Sequence, residues 1–398
     1  MNVFRSGRRL FPILFAVALA ALAGGGASAL FGICGPFTDV SDASFCPFVL
    51  EIFTLGITTG TTPTTYDPGT SVTRLQMSAF LSRTVDRTLQ RLHTRSTLRQ
   101  FWTPQNALAV GMTTVAGWLP FVVESDGTDI WAAGHPLFST TSFVARVRAS
   151  DGEVLSVWTG MTAVPQSVLV ALGKVLMPGF GAPGKLYGLD PTQPAVSVTT
   201  LASNVGDNPQ GIAFDGTFVW TANNNGTVSK ITPSSSTPWP VTTVPGFQSL
   251  DGILYDGANI WVTEMMSPNT TAGTLLKLNA SGAVLLTVTV GVLPAFPSFD
   301  GTNIWVPNQT SNSVSVVRAS NGAVLATLTG NGLNTPNQAA FDGQRVLVTN
   351  EAGNSVSVWK SADLTEIGVF DLGASLPYGA CSDGVNFWIA NGIGIKKF

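Results

Sequence analysis

Asp300-Gly301-Thr302-Asn303-Ile304-Trp305-Val306-Pro307-Asn308 decides the fold. An Asp-Gly pair opens a tight hairpin turn. Glycine adopts positive φ without steric cost, and aspartate accepts hydrogen bonds from the turn's own amides. An apolar run around Trp305 follows, and Asn308 closes it. The pattern recurs at Asp126-Gly127, Asp215-Gly216, Asp256-Gly257, Asp342-Gly343 and Asp383-Gly384, with Leu172-Gly173 as a degenerate copy. Successive glycines stand 46, 43, 41, 44, 42 and 41 residues apart. Five residues after the Asp position come Trp131, Met177, Trp220, Trp261, Trp305, Leu347 and Trp388. Eight residues after it come Asn223, Asn308, Asn350 and Asn391, and six before it Pro120, Pro209, Pro294, Pro336 and Pro377. A period of some forty residues is the mark of a repeat architecture.

A second turn follows in several units, as in Ser150-Asp151-Gly152 and Ser320-Asn321-Gly322. Each unit therefore holds two hairpins, or four strands. A lone four-stranded sheet cannot bury both faces, whereas seven arranged radially bury them against one another. The expectation is a mainly β chain, a seven-bladed propeller over 109–398, with the second-strand Trp and Val residues as inter-blade core. The last unit stops after Ile393-Gly394-Ile395-Lys396 without a fourth strand. Ala109 to Val115 is predicted to supply it, which removes an exposed edge. Gly179-Phe180-Gly181-Ala182-Pro183-Gly184 fits a dinucleotide-binding pattern, but that motif must open a helix, and here strand-like sequence flanks it. The repeats resemble YVTN-type and NHL-like β-propellers, including secreted proteins grouped with virginiamycin B lyase. Val348-Thr349-Asn350-Glu351-Ala352-Gly353-Asn354-Ser355-Val356 and Asp300 to Val306 carry the resemblance.

The N-terminus reads as a secretory signal over 1–29. Arg5, Arg8 and Arg9 precede an apolar run from Leu10 to Ala23, and Ala27-Ser28-Ala29 is a small-residue cleavage site. Cleavage after Ala29 would place the mature chain outside the cytoplasm, secreted or at the cell surface, with no transmembrane segment. Disulfides are then permitted. Of the three cysteines, Cys34 and Cys46 flank a short turn-rich segment and are expected to pair. Cys381, in an apolar strand, reads as a buried small hydrophobe.

Residues 30–84 form a separate helical module. Phe48, Ile52 and Leu55 recur at helical spacing, with Gly56 after them. Thr73-Arg74-Leu75-Gln76 fits a capping box at a second helix start. The order Phe37-Thr38-Asp39-Val40, Ile52 to Gly60, Tyr66-Asp67-Pro68 and Val72-Thr73-Arg74 through Arg83 resembles a single S-layer homology domain. The resemblance implies that Thr73 and Arg74 bind acidic cell-envelope polysaccharide. A helix N-terminus and a guanidinium suit carboxylates. Two departures stand out: Gln76 replaces the usual acid, and one copy is present where the family uses three. From 85 to 108, Arg87, Arg91, Arg95 and Arg99 make one basic helical stripe ahead of a linker.

Composition narrows the function. Lys+Arg 20 against Asp+Glu 23 gives −3, without the basic footprint of a nucleic-acid binder. With His 2 in the whole chain, chemistry that needs several imidazoles is nearly excluded. One propeller face collects the loops from strand four to strand one and from strand two to strand three. His135, Asn223, Asp251, Glu264, Asn308, Asn350, Glu351, Tyr378 and Asn391 fall there. His135, Asp251, Glu264 and Glu351 break the repeat and could hold a cation or polarise a sugar hydroxyl. The leading expectation is non-enzymatic binding of a glycan, peptide or protein partner, without a cofactor. A metal-dependent lactonase-like enzyme, holding a divalent cation on this face, is one alternative. A lyase, for which the resemblance implies a general-base His, is another. A purely structural surface-layer component is the third.

Overall fold

The computed structural model describes residues 34, 36–42, 44–54, 58, 60–72, 77, 80, 81, 84, 112, 113, 118–136, 142–193, 198–373 and 376–398. The signal segment, Thr73, Arg74 and the arginine stripe lie outside the described residues. The chain divides into two compact units, Met1–Thr94 and Arg95–Phe398.

The larger unit is a seven-bladed propeller. Blade 1 is Trp118–Ser125, Asp129–Pro136, Ser142–Arg148 and Val154–Met161. Blade 2 opens with Val164–Pro165 and Leu169–Ala171, both paired to Lys174–Phe180, and continues with Gly184–Leu189 and Thr199–Val205. Blade 3 is Pro209–Phe214, Val219–Asn223, Thr227–Ile231 and Val241–Pro245. Blade 4 is Ser249–Tyr255, Ile260–Met265, Ala272–Leu278 and Val284–Val292. Blade 5 is Ser298–Phe299, Asn303–Asn308, Ser313–Arg318 and Val324–Thr329. Blade 6 is Pro336–Phe341, Arg345–Asn350, Ser355–Lys360 and Glu366–Asp371. Blade 7 is Ala380–Ser382, Phe387–Ala390 and Ile395–Lys397, completed by Met112–Thr113. That last strand pairs Met112 with Lys396 and Thr113 with Ile395, so the N-terminal closure is present at these two residues, within the expected 109–115. The glycine-rich pattern at 179–184 joins antiparallel strands, as its flanks predict.

The core is seven layers, each between two successive blades. One joins Trp131 and Val144 of blade 1 to Val175 and Met177 of blade 2. Another joins Val123 and Phe143 of blade 1 to Trp388 and Ile395 of blade 7, so the ring closes. Trp131, Trp220, Trp261 and Trp305 are 0 % exposed and Trp388 1 %. A ring of that size removes roughly 150–250 Å² from water, worth several kcal/mol at about 25 cal per Å².

Each indole is also clasped. In five blades one carboxylate oxygen of the turn Asp accepts the Trp Nε1–H, at 2.9 Å for Trp131, 2.7 Å for Trp220 and Trp261, 2.8 Å for Trp305 and 2.9 Å for Trp388. The other oxygen accepts the amides two and three residues on, as at Asp256 (2.8 and 2.6 Å). The glycine after each of these Asp residues sits at φ +83° to +93°, a conformation costly to any side chain. A third-strand base then lies over the ring and reaches the next blade. Lys230, Lys277 and Lys397 stand 5.1–5.4 Å from Trp220, Trp261 and Trp388. They donate to the carbonyls of Ala280, Ala319 and Ala149. Blade 2 has lost Asp and Trp together, as Leu172 and Met177. Blade 6 keeps Asp342 beside Leu347, and the Arg345 Nε takes the indole's place at 2.7 Å.

The smaller unit carries one described helix, α1 (Cys46–Thr54). Cys34 and Cys46 form a disulfide with Cα atoms 5.3 Å apart. Phe37, Val40 and Val49 are buried, with Leu50, Phe53 and Tyr66 packed on them. The inward face of α1 therefore differs from the expected one: Phe48 is 63 % exposed. The disulfide fixes Cys46 inward, and Val49, Leu50 and Phe53 follow it at helical spacing. Asp39 ties the segment before α1 to the loop after it, its carboxylate accepting the Tyr66 and Asp67 amides at 2.8 and 2.6 Å. Those bonds hold the Asp39 carboxyl below its ordinary range. No described helix is long and apolar enough to cross a membrane.

Candidate functional site

The propeller axis is a channel lined by the first strands of the blades, and it contains two chambers. The one toward the Asp-Gly turns has a volume of about 490 Å³, and the one toward the opposite loops about 390 Å³. Phe296 and Gln338 border both. They form a partition because the first strand of blade 5 is broken between Pro294 and Pro297. Phe296 instead bonds blade 6: its amide donates to Asn337 O (3.0 Å) and its carbonyl accepts from Ala339 N (3.1 Å).

β-Bulges build the loop-face chamber. The first strand slips register between Pro120 and Val122, Pro209 and Gly211, Leu250 and Ile253, and Pro336 and Ala339. A bulge adds a residue and re-aims its side chain. Phe121, Asp251, Asn337 and Gln338 all sit in these bulges and all line a chamber. Buried second-strand threonines satisfy the amides so released. Thr263 Oγ1 accepts Gly252 N at 2.8 Å, and Thr349 Oγ1 accepts Gln338 N at 3.0 Å.

Four of the nine expected residues meet here: His135, Asp251, Glu351 and Tyr378. Phe121 stacks on His135, centroids 4.9 Å apart, and meets Tyr378 edge-on at 5.1 Å. Tyr378 donates to Glu351, and Asn337 Nδ2 donates to the same carboxylate at 3.2 Å. Burial, then the Glu351 charge and that bond, push the Tyr378 phenol up. Burial pushes the Asp251 carboxyl from 3.8 up to about 7. Among the described residues its carboxylate accepts no hydrogen bond. Nothing therefore repays the loss of water, and the neutral form is favoured.

The other five lie elsewhere. Asn223, Asn308 and Asn350 are fully buried at the ends of second strands and clip the third strand. The Asn308 amide donates to Ser313 and Ser315 hydroxyls at 3.1 and 3.0 Å, and the Asn350 amide to Ser355 and Ser357 at 3.2 and 2.8 Å. The Asn223 amide bonds Thr227 and Ser229 in the same way. Asn391 accepts the Gly394 amide at 3.0 Å. Glu264 occupies the same register and is 7 % exposed; it accepts Thr274 Oγ1 at 2.6 Å and Gln248 N at 2.8 Å. These five stabilise the fold and do not line the chamber. Phe296 carried one legible signal, Pro297, a proline that no other unit has at that register.

The chamber thus offers aromatic faces, two carboxyl groups and amides, the chemistry that holds a polar organic ligand. Among the described residues no three His, Cys, Asp or Glu side chains gather as a metal site. Cys381 is buried, and desolvation, with Glu124 and Asp383, holds its thiol well above the ordinary range and hence unreactive.

No protein-family profile matches the sequence, and no curated protein matches it. Solved structures do resemble it. A streptogramin B lyase is 16 % identical over 72 % of this chain and 96 % of its own, with a TM-score of 0.58. Virginiamycin B lyase from Staphylococcus aureus is 16 % identical over 72 % of this chain and 97 % of its own, with a TM-score of 0.58. The WD40 propeller domain of Doa1 is 14 % identical over 72 % and 96 %, with a TM-score of 0.56. At such identities the likeness is one of fold.

Proposed function

We propose that the protein is an extracytoplasmic binding propeller that takes a hydroxyl-rich ligand, a glycan, into its loop-face chamber. The convergence of Phe121, His135, Asp251, Glu351 and Tyr378 around one cavity of about 390 Å³ carries the reading. Aromatic faces pack on the C–H surface of a sugar ring. Glu351, already oriented by Tyr378 and Asn337, accepts its hydroxyl protons. In the same reading the N-terminal unit holds the protein to envelope polysaccharide through Thr73 and Arg74. Titration calorimetry against a panel of neutral and acidic oligosaccharides tests the chamber. Glu351→Gln and Phe121→Ala should each weaken a bound glycan at least tenfold. Unchanged affinity in both variants would remove the chamber from the reading.

A lyase-like activity is the rival that one observation favours. Asp251 holds a carboxyl near neutrality in the chamber, as a general acid or base requires. Turnover of a cyclic ester substrate that disappears in Asp251→Asn would favour this rival over binding alone.

A further inference from the structure

We propose that the turn-face chamber is a second, separate site, which binds an alkylammonium cation between Glu124 and an aromatic girdle. Four consecutive blades place an aromatic side chain directly before the turn Asp: Phe214, Tyr255, Phe299 and Phe341. All four line the cavity of about 490 Å³. Glu124 lies one residue deeper along the first strand of blade 1. At that register the other blades carry small or apolar residues, Ala213, Leu254, Ala340 and Cys381 among them. One acid therefore stands in an otherwise uncharged ring.

Among the described residues no basic group neutralises that acid. Glu124 Oε1 accepts the Ser125 amide at 3.0 Å, and Glu124 belongs to none of the ion pairs formed by the described residues. Desolvation pushes its carboxyl up to about 7, so the charge of this half-buried group is costly as it stands. A cation would relieve that cost. Aromatic faces attract a weakly hydrated organic cation more than a hydrated sodium ion, because the ring quadrupole offers no replacement for a full water shell. An ammonium head beside Glu124 and an alkyl tail among the rings satisfy both features. The site shares neither Glu351 nor Tyr378 with the glycan chamber and does not depend on that reading.

The full chain is titrated calorimetrically at pH 8.5 with n-butylammonium chloride, with sodium chloride and n-butanol as controls. Butylammonium should bind, and neither control should match it. Glu124→Gln should lower the affinity at least tenfold, and Phe341→Leu, which keeps the apolar volume, about fivefold. Glu351→Gln should leave it unchanged. Equal binding of n-butanol would overturn the cation reading. Retained affinity in Glu124→Gln, with Phe341→Leu equally unaffected, would overturn the site. Loss in Glu351→Gln instead would place the cation in the other chamber and refute the assignment.

Discussion

Asp251→Asn isolates the largest electrostatic cost in the loop-face chamber. Asp251 is 9 % exposed, and no donor compensates its charge among the described residues. Burial raises its carboxyl from 3.8 to about 7, so across that window the folded chain binds a proton that the unfolded chain has released. Stability contributed by the neutral form is complete below pH ~3.8 and is lost as pH rises through about 7. At 1.36 kcal/mol per unit the full swing is at most about 4 kcal/mol. Water entering the cavity will lower it. Asparagine has nearly the same shape and does not titrate. The difference in unfolding free energy, variant minus wild type, should therefore rise between pH 5 and 8 and level off above. Urea unfolding at half-unit pH steps measures it. Glu124 titrates in the same range but lies in the other chamber, so it cancels in the difference. A difference that stays flat from pH 5 to 8 would mean that Asp251 is hydrated and ionised, and the chamber's acid would lose its special state.

Other perturbations probe the scaffold. A double-mutant cycle of Asp256→Ala and Trp261→Phe should give a coupling of about 1.5–3 kcal/mol in chemical denaturation, the worth of a hydrogen bond to a charged group. Glu264→Ala leaves the Gln248 amide and the Thr274 hydroxyl unpaired; it should cost roughly 2–4 kcal/mol while glycan affinity stays unchanged. Reducing Cys34–Cys46 opens a loop of sequence separation 12 and should destabilise the small unit by about 3 kcal/mol, seen as a shift in its melting transition but not the propeller's. Arg74→Ala should abolish retention on purified acidic envelope polysaccharide, with a pull-down as the readout; equal retention would end the attachment reading.

Much of the architecture was legible in the chain. The Asp-Gly spacing counts seven blades, and the segment 109–115 ahead of the first unit holds the closing strand. The site was legible only in part. Repeat register places nine polar residues on one face without ranking them, and five of the nine are structural. Asn308 and Asn350 repeat because each clips a serine pair, a local need the pattern itself could have suggested. The face of α1 was misread for a different reason: the disulfide turns Cys46 inward and leaves Phe48 outside.

Blade number, strand order and turn chemistry are short-range matters, settled within some forty residues by glycine's freedom at positive φ and the indole's need for an acceptor. Which side chains share a cavity is not. Phe121, Asp251, Asn337 and Tyr378 come from four blades and meet only because bulges re-aim three of them toward a common axis. The width of that axis is set by seven packed layers at once, so only the closed ring could decide it.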